Sequence, residues 1–347
     1  MHVVYSIVKD YFKEELVLNL KELSEKIEVS ASTISRVLND KPGISEATRK
    51  KVLAAIEKEH FTLNFAGRNL VKSESRFIGI ISRKRTSVED VIFFHHSLNQ
   101  FQEILLQNNY FCVPISYHDD KGIDFENTPL SPTDYAGFII RGQSIPQKVI
   151  LSVKKFGVPI ILLENAFYET KVNSVVCNDA ELEYELTKIL IDKGHKRIVH
   201  ITGPDSWYNN KERIKGYRSA INEAKIPEEL YCLEDTVITT GKEAFDILKI
   251  TKVSNIGICF VNDAMAIGFL KVANDKNIKI GENISVVGFD DIPWASLTTP
   301  PLTTARIEID DMGKLASSRL LAMIGDSSAS VTVKSIVDGK IIKRKTT

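Results

Sequence analysis

Cysteine is scarce in this chain: four in 347 residues, far apart at Cys112, Cys177, Cys232 and Cys259. There is no CxxC pair, so neither a zinc ribbon nor a disulfide framework fits, and reduced, buried thiols in a cytoplasmic protein are expected. Long apolar runs are lacking. The apolar positions before Lys9 are interrupted, which argues against a membrane span and a secretory leader. No charge sign is in excess, since 45 Lys and Arg face 45 Asp and Glu. Net charge therefore says nothing about a polyanionic partner. GxGxxG turns, Walker loops and GxSxG elbows are absent. His95 and His96 are adjacent on a predicted helix, point to different faces and do not form an i, i+4 chelating pair. His195 reads as part of a helix-to-strand connection. An enzyme, a cofactor or a metal ion has no residues to stand on.

What is present is an ordinary globular composition, 43% hydrophobic and 26% charged, with length for two or three domains. Charge is distributed unevenly. Between Val29 and Lys72 stand eight Lys or Arg and four acids. A basic patch on one small domain suits phosphate contact, and it suits a solvated helix face equally well. Residues 20–61 read as three short helices. Asn19 with Glu22 can cap the first, whose inner face is Leu20, Leu23 and Ile27. Ser30 can cap a second, Ala31–Leu38, with Ile34, Val37 and Leu38 inward. Ser45 can cap a third, Glu46–Glu59, with Val52, Ala55 and Ile56 inward.

Asn64 to Ser75 reads as a linker or a conditional helix. Beyond it, strand-like runs recur at Phe77–Ser82, Phe111–Ile115, Gly137–Ile140, Pro159–Leu163, Arg197–Thr202, Ile256–Val261 and Ile284–Phe289. Helical patterns fall near Phe93–Asn108, Ala180–Lys193, Arg213–Ala224, Gly241–Ile250 and Ala264–Lys276. Alternating strands and helices make βαβ units and parallel sheets. About 270 residues exceed one doubly wound core, so two lobes are expected. The fold class is thus α/β: a small all-helical helix-turn-helix headpiece and a two-lobe doubly wound core. The divisions are a 1–19 extension, a 20–62 DNA-binding domain, a 63–75 hinge or linker and a 76–347 ligand-binding and dimerisation domain.

The first two helices have the spacing of a pair packed across a tight turn. The second then presents Ala31, Ser32, Ser35 and Arg36 outward, where base edges in a major groove would lie. Ser30 and Thr33 sit near its N-terminus, where hydroxyls and backbone N–H groups meet phosphate. Arg36 is the natural guanine reader, because its fork pairs with O6 and N7. Pattern alone leaves a plain helical bundle with a charged surface as the competing reading.

The sequence Val29-Ser-Ala-Ser-Thr-Ile-Ser-Arg-Val-Leu-Asn39, followed by Lys41-Pro-Gly-Ile-Ser-Glu-Ala-Thr-Arg49 and Val52-Leu-Ala-Ala-Ile56, closely resembles the headpiece of the LacI/GalR family of bacterial transcription regulators. Arg213-Ile-Lys-Gly-Tyr217, Asn262-Asp-Ala-Met-Ala-Ile-Gly268, Val286-Val-Gly-Phe-Asp-Asp291 and Pro300-Pro-Leu-Thr-Thr304 resemble that family's landmarks in its order. The resemblance implies a core of periplasmic-binding-protein type, base contacts from Ala31, Ser32 and Arg36, and phosphate contacts from Ser30, Thr33, Asn39, Ser45 and Thr48. It also implies a hinge helix at Asn64–Val71, adding Asn64 and Arg68 to the DNA contacts. There Leu70 would wedge into the minor groove and bend the duplex; the alternative for Leu70 is docking on the core. Three departures stand out: Leu63 where proline is usual, Gly67 where alanine is usual, and Glu28 where glycine is usual. Glu28 would resist a left-handed backbone.

A ligand between lobes would meet strand C-termini and helix N-termini. Glu164, Trp207, Asn262 and Asp290 follow strands; Phe93, Phe94 and Arg213 open helices. The set supplies acceptors, an amide, a guanidinium and aromatic faces, suited to a sugar or sugar phosphate. The resemblance implies ligand contacts at Arg213, Asn262 and Asp290, and by looser register at Phe93, Phe94, Glu164 and Trp207. Asp290 reads alternatively as a cap or turn former, and Phe93 and Phe94 as core. The expected mechanism is ligand-gated repression by a cytoplasmic homodimer on pseudo-palindromic operator DNA. A transporter's solute-binding protein would share the core but have no use for Leu20–Val71. Glu14-Glu15 can be encoded by a ribosome-binding sequence, so translation starting near Leu16–Leu18 is expected; an amphipathic N-terminal helix is the alternative.

Overall fold

The structure is a computed structural model and describes residues 20–38, 42–58, 75–84, 101–128, 130–250, 255–325 and 332–347. Two compact units divide at Ser75 and Arg76. Among the described residues no helix is long and apolar enough to cross a membrane.

In the first unit, α1 (Leu20–Ile27), α2 (Ala31–Leu38) and α3 (Glu46–Lys58) close on Leu23, Ile34, Val37 and Val52. Ile27, Val29, Ile44, Ala55 and Ile56 pack around these four. Of the positions expected inward from helical spacing, Leu23, Ile34, Val37 and Val52 are buried and Ile27, Ala55 and Ile56 half-buried. Ser30 caps α2, accepting from the Thr33 N–H at 3.1 Å, and Ser45 caps α3, accepting from the Thr48 N–H at 3.2 Å. Each cap satisfies a donor that the first turn leaves unpaired. Glu28 takes the left-handed conformation, φ 50°, and the Val29 N–H closes the turn on Ser24 O at 3.2 Å. The turn that glycine would make without strain is made here by a glutamate.

The second unit carries two sheets. The first lobe contains β1 (Phe77–Arg83), β2 (Phe111–His118), β3 (Gly122–Ile123), β4 (Gly137–Arg141), β5 (Ile160–Leu163), β6 (Asn173–Cys177) and β12 (Lys334–Val337), in the order β12-β6-β5-β4-β1-β2-β3. The second contains β7 (Arg197–Thr202), β8 (Leu230–Cys232), β9 (Ile256–Phe260), β10 (Ile284–Asp290), β11 (Thr303–Arg306) and β13 (Lys340–Ile342), in the order β13-β11-β10-β9-β7-β8. Pairing is parallel except at β2–β3 and β11–β13. Strands such as Ile160–Leu163 and Ile256–Phe260 are buried at every residue. That is why they read as continuous apolar runs.

Six helices cover these sheets among the described residues that have firm bounds: α4 (Gln147–Lys154), α5 (Asp179–Asp192), α6 (Tyr208–Glu223), α7 (Ile238–Ile247), α8 (Asp263–Asp275) and α9 (Ile309–Gly325). A further helical stretch spans 101–107, within the expected Phe93–Asn108 helix. Two packings need glycine. A Cβ on Gly216 would collide with the Ala180 carbonyl where α6 crosses α5, and one on Gly268 would collide with the Ile238 carbonyl where α8 crosses α7. The Arg213–Tyr217 and Asn262–Gly268 landmarks are thus partly packing devices.

The chain changes lobes three times: from β6 into α5, from β11 into α9, and from β12 into β13. The first and third crossings are laced together, the Gly339 N–H donating to Asn178 Oδ1 at 2.9 Å. Lys340 meets Glu308 of the second at 2.5 Å. Several boundaries differ from the periodicity reading. β2 runs to His118, α7 starts at Ile238, and Arg213 lies in the second turn of α6 rather than opening it. β3, β6, β8, β11, β12, β13, α4 and α9 were not expected; most are short or edge elements with too few residues to show a period.

Candidate DNA-reading surface and ligand cleft

On the headpiece, Ser30, Ser32 and Arg36 are exposed and Ala31 and Thr33 half-buried, so α2 presents hydroxyls at its start and a guanidinium one turn further on. Ser30 Oγ lies 2.9 Å from Ser32 Oγ and 2.8 Å from Thr33 Oγ1. Ser45 Oγ lies 2.7 Å from Thr48 Oγ1 at the start of α3. Both helix starts therefore pair hydroxyls with backbone donors, the combination that receives an anionic oxygen. Arg36 is folded back: Nη2 donates to Pro42 O at 2.8 Å. To reach a base edge it would exchange one exposed hydrogen bond for another. Asn39, Asn64, Arg68 and Leu70 lie outside the described residues, as do Phe93 and Phe94 in the core and residues 1–19.

In the core, the expected residues Arg213 and Asp290 meet. Arg213 is 2% exposed. Its Nε donates to Asp179 Oδ1 at 2.8 Å, Nη1 to Val261 O at 2.5 Å and Nη2 to Asp290 Oδ1 at 3.2 Å. The guanidinium also lies 3.6 Å from the Phe289 ring centroid. Burial works against its charge, but Asp179 and Asp290 outweigh burial and hold the proton more firmly than usual. Asp290 ends β10 with φ 106°, and Asp291 follows with φ 52°. A non-glycine residue at such angles is strained, and strain of this kind gathers at binding sites. Burial pushes the Asp290 carboxyl up to about 7; Arg213 opposes this, and the charges of Glu164 and Asp179 add to it.

Glu164 comes from the other lobe. It follows β5 with φ 61° and accepts from Arg141 Nε at 2.9 Å. Its charge acts on Asp179 and Asp290 and raises the proton affinity of both. Trp207 precedes α6 and lies 5.9 Å from the Arg83 guanidinium of β1, again across the lobes. Tyr208 N–H meets Gln143 O at 3.4 Å beside it. Asn262 is committed within its own lobe. Its Oδ1 accepts from the Met265 N–H at 3.0 Å, capping α8, and its Nδ2 donates to Thr236 O at 2.8 Å.

Two residues of this cluster escaped sequence reasoning, Arg141 and Asp179. Arg141 ends β4, which periodicity ended at Ile140. Asp179 opens α5 after β6, a strand that was not recognised. The same rule of strand and helix ends would have found both.

Comparison with known proteins follows this geometry. Residues 19–64 match the model of bacterial regulatory proteins of the lacI family, and residues 187–347 match that of the periplasmic binding protein-like domain. The probable HTH-type transcriptional repressor ExuR of Bacillus subtilis (strain 168) is 27% identical over 312 residues, spanning 89% of this chain and 92% of that protein. The lac repressor dimer bound to operator and the anti-inducer ONPF superposes with a TM-score of 0.78, covering 95% of this chain and 98% of that one, at 22% identity. The transcriptional regulator CelR–cellobiose complex gives a TM-score of 0.66 over 95% of this chain and 100% of that one, at 19% identity. At these identities the two structures establish the fold, a headpiece with a two-lobe core.

Proposed function

We propose that this chain, with its lacI-family headpiece and periplasmic-binding-protein-like domain, is a DNA-binding transcriptional repressor whose hold on operator DNA is set by a small polyhydroxylated ligand between its lobes. Residues 20–62 read the operator, 63–75 form the hinge, and 76–347 bind the ligand and pair with a second copy. Ala31, Ser32 and Arg36 reach base edges. Ser30, Thr33, Asn39, Ser45 and Thr48 hold phosphates, and Asn64, Arg68 and Leu70 act at the hinge. Two headpieces on one dimer fit a pseudo-palindromic site, and acting on DNA places the protein in the cytoplasm.

The observation that carries this reading is the exposed, hydroxyl-capped start of α2 with Arg36 beside it. The ligand acts through Arg213, Asp290 and Glu164, with Trp207, Phe93 and Phe94 offering ring faces and Asn262 holding the start of α8. Since Glu164 and Asp290 stand on different lobes, a molecule touching both favours one arrangement of the lobes. Only that differential affinity can change DNA binding. A transport solute-binding protein would share the core alone, and the headpiece speaks against it. Footprinting of the full chain on its own upstream DNA, with and without sugars, tests the proposal. Protection of a two-fold site supports it, and uniform weak binding at all sequences contradicts it.

A further inference from the structure

Two consecutive residues where β10 ends are left-handed, Asp290 at φ 106° and Asp291 at φ 52°. A residue with a Cβ is strained there, so the surrounding structure must hold both in place. Asp290 meets Arg213 at 3.2 Å. Asp291 has other partners. Its side chain is 4% exposed, Oδ2 accepts from Arg306 Nε at 2.7 Å, and Oδ1 accepts from Arg344 Nη2 at 2.6 Å. The following amide is pinned as well. The Ile292 N–H donates at 3.0 Å to Oδ2 of Asp263, a fully buried carboxylate at the start of α8 whose Oδ1 accepts from Thr304 Oγ1 at 2.6 Å.

One guanidinium would balance the Asp291 charge. The second comes from a different segment, so the arrangement is a cross-link as well as a neutralisation. Arg306 ends β11, two residues before Glu308, where the chain leaves for α9 on the first lobe. Arg344 follows β13, the strand that returns from β12, and is itself fixed: Nη1 donates to Leu302 O at 2.8 Å and its N–H to Thr303 Oγ1 at 2.9 Å. Arg306 and Lys340 are partners in the β11–β13 ladder, and Lys340 meets Glu308 at 2.5 Å. The Asp291 carboxylate therefore joins the Asp290 turn to two of the three segments on which the chain passes between lobes. Charge-assisted hydrogen bonds are the strong and directional kind, and these couple movement of those segments to the turn.

We propose that Asp291 is a positioning residue of the regulatory response: clamped between Arg306 and Arg344, it holds the Asp290 carboxylate against Arg213 and ties that contact to the strands that cross between the lobes. The inference rests on the reading that lobe arrangement governs operator binding.

The test uses the full chain with no ligand added and two readouts, operator affinity and amide hydrogen exchange of residues 288–294. Arg306→Gln and Arg344→Gln each remove one arm of the clamp, and Asp291→Asn loosens both. The Arg306 side chain is 41% exposed, so Arg306→Gln serves if Asp291→Asn fails to fold. The Ile292 amide should exchange at least about ten-fold faster in the variants. Operator affinity should shift at least about five-fold, in the same direction as in Asp290→Asn. Arg344→Gln added to Asp290→Asn should change affinity no further, to within about two-fold, because the clamp acts through Asp290. Arg344 reaches Asp291, Leu302 and Thr303, so a merely structural role would give an effect that multiplies with that of Asp290→Asn. Arg306→Lys keeps a donor for Asp291 and should restore most of the affinity. Unchanged exchange at Ile292 overturns the clamp. Faster exchange with unchanged operator affinity, or effects that multiply, overturns its part in regulation. A wild type that binds no operator strikes the regulator reading, and the exchange result then judges the clamp alone.

Discussion

Arg213 on α6 and Asp179 at the start of α5 are 2.8 Å apart and almost wholly buried, and they tie together the two helices behind the cleft. A pair of this kind adds little net stability, but losing one partner leaves an uncompensated buried charge. Arg213→Ala should therefore destabilise the core by about 3–5 kcal/mol. Urea denaturation at neutral pH reads this. Arg213→Lys should restore part of the loss while still failing to respond to the effector, since an ammonium cannot reach Asp179, Val261 O and Asp290 together.

Glu28 offers a simpler change. A left-handed residue with a Cβ costs roughly 1–2 kcal/mol over glycine, offset by the greater unfolded-state freedom that glycine brings. Glu28→Gly should leave the headpiece as stable or up to about 1 kcal/mol more stable. Amide hydrogen exchange of α1 and α2 in the full chain checks it. Faster exchange in the variant would show that the glutamate side chain contributes more than the backbone strain costs.

Much of this architecture was legible because its signals are local. The caps Ser30 and Ser45, the inward faces of the three headpiece helices and the fully buried strands all follow from neighbours in sequence. So did Arg213 and Asp290 as partners in one site, through ordered landmarks. Arg141 and Asp179 were missed because the apolar run of β4 stops at Ile140, one residue short of Arg141, and because β6, which leads to Asp179, was not read as a strand. The folded-back Arg36 was equally hidden, since its acceptor, Pro42 O, is set by the course of a loop. The double commitment of the Asn262 amide depends on Thr236, distant in sequence, and no local pattern announces it.

Glu183 on α5 and His200 on β7 are fully buried, with His200 Nε2 and Glu183 Oε1 3.5 Å apart and the Cys259 thiol beside the Glu183 carboxyl. Burial pushes Glu183 up to about 8 from its ordinary 4.5 and His200 down to about 3 from its ordinary 6.5. Glu183 then keeps a proton in the native state that the unfolded chain releases. Its contribution is complete below pH 4.5 and is lost as pH rises to about 8. For His200 the unfolded chain binds the extra proton. Its contribution is complete above pH 6.5 and is lost as pH falls to about 3. Between pH 4.5 and 6.5 the two slopes cancel, leaving a plateau with a fall on either side. Glu183→Gln should remove the alkaline fall and leave the His200 slope unopposed between pH 4.5 and 6.5. The stability difference between wild type and variant, followed by urea midpoints, should slope by one proton from pH 4.5 to 8. A flat difference would mean that Glu183 is ionised in the folded protein.

The N-cap of α2 separates stability from recognition. Ser30→Ala should cost about 1 kcal/mol by removing the bond to the Thr33 N–H. The same change should weaken DNA binding at every sequence alike, as expected for a phosphate contact. Thermal melts and binding isotherms on matched and scrambled DNA distinguish the two effects.

Reading of DNA by α2 is tested most directly by selecting random duplexes with the full-length wild type and with Arg36→Ala at near-physiological salt, then measuring affinities on the selected site. The expected outcome is a two-fold sequence containing one guanine per half-site whose identity ceases to matter in the variant, with affinity lowered by about 1–3 kcal/mol per reader. An unselective pool, or a selected site that Arg36→Ala binds with unchanged affinity and unchanged preference, contradicts it.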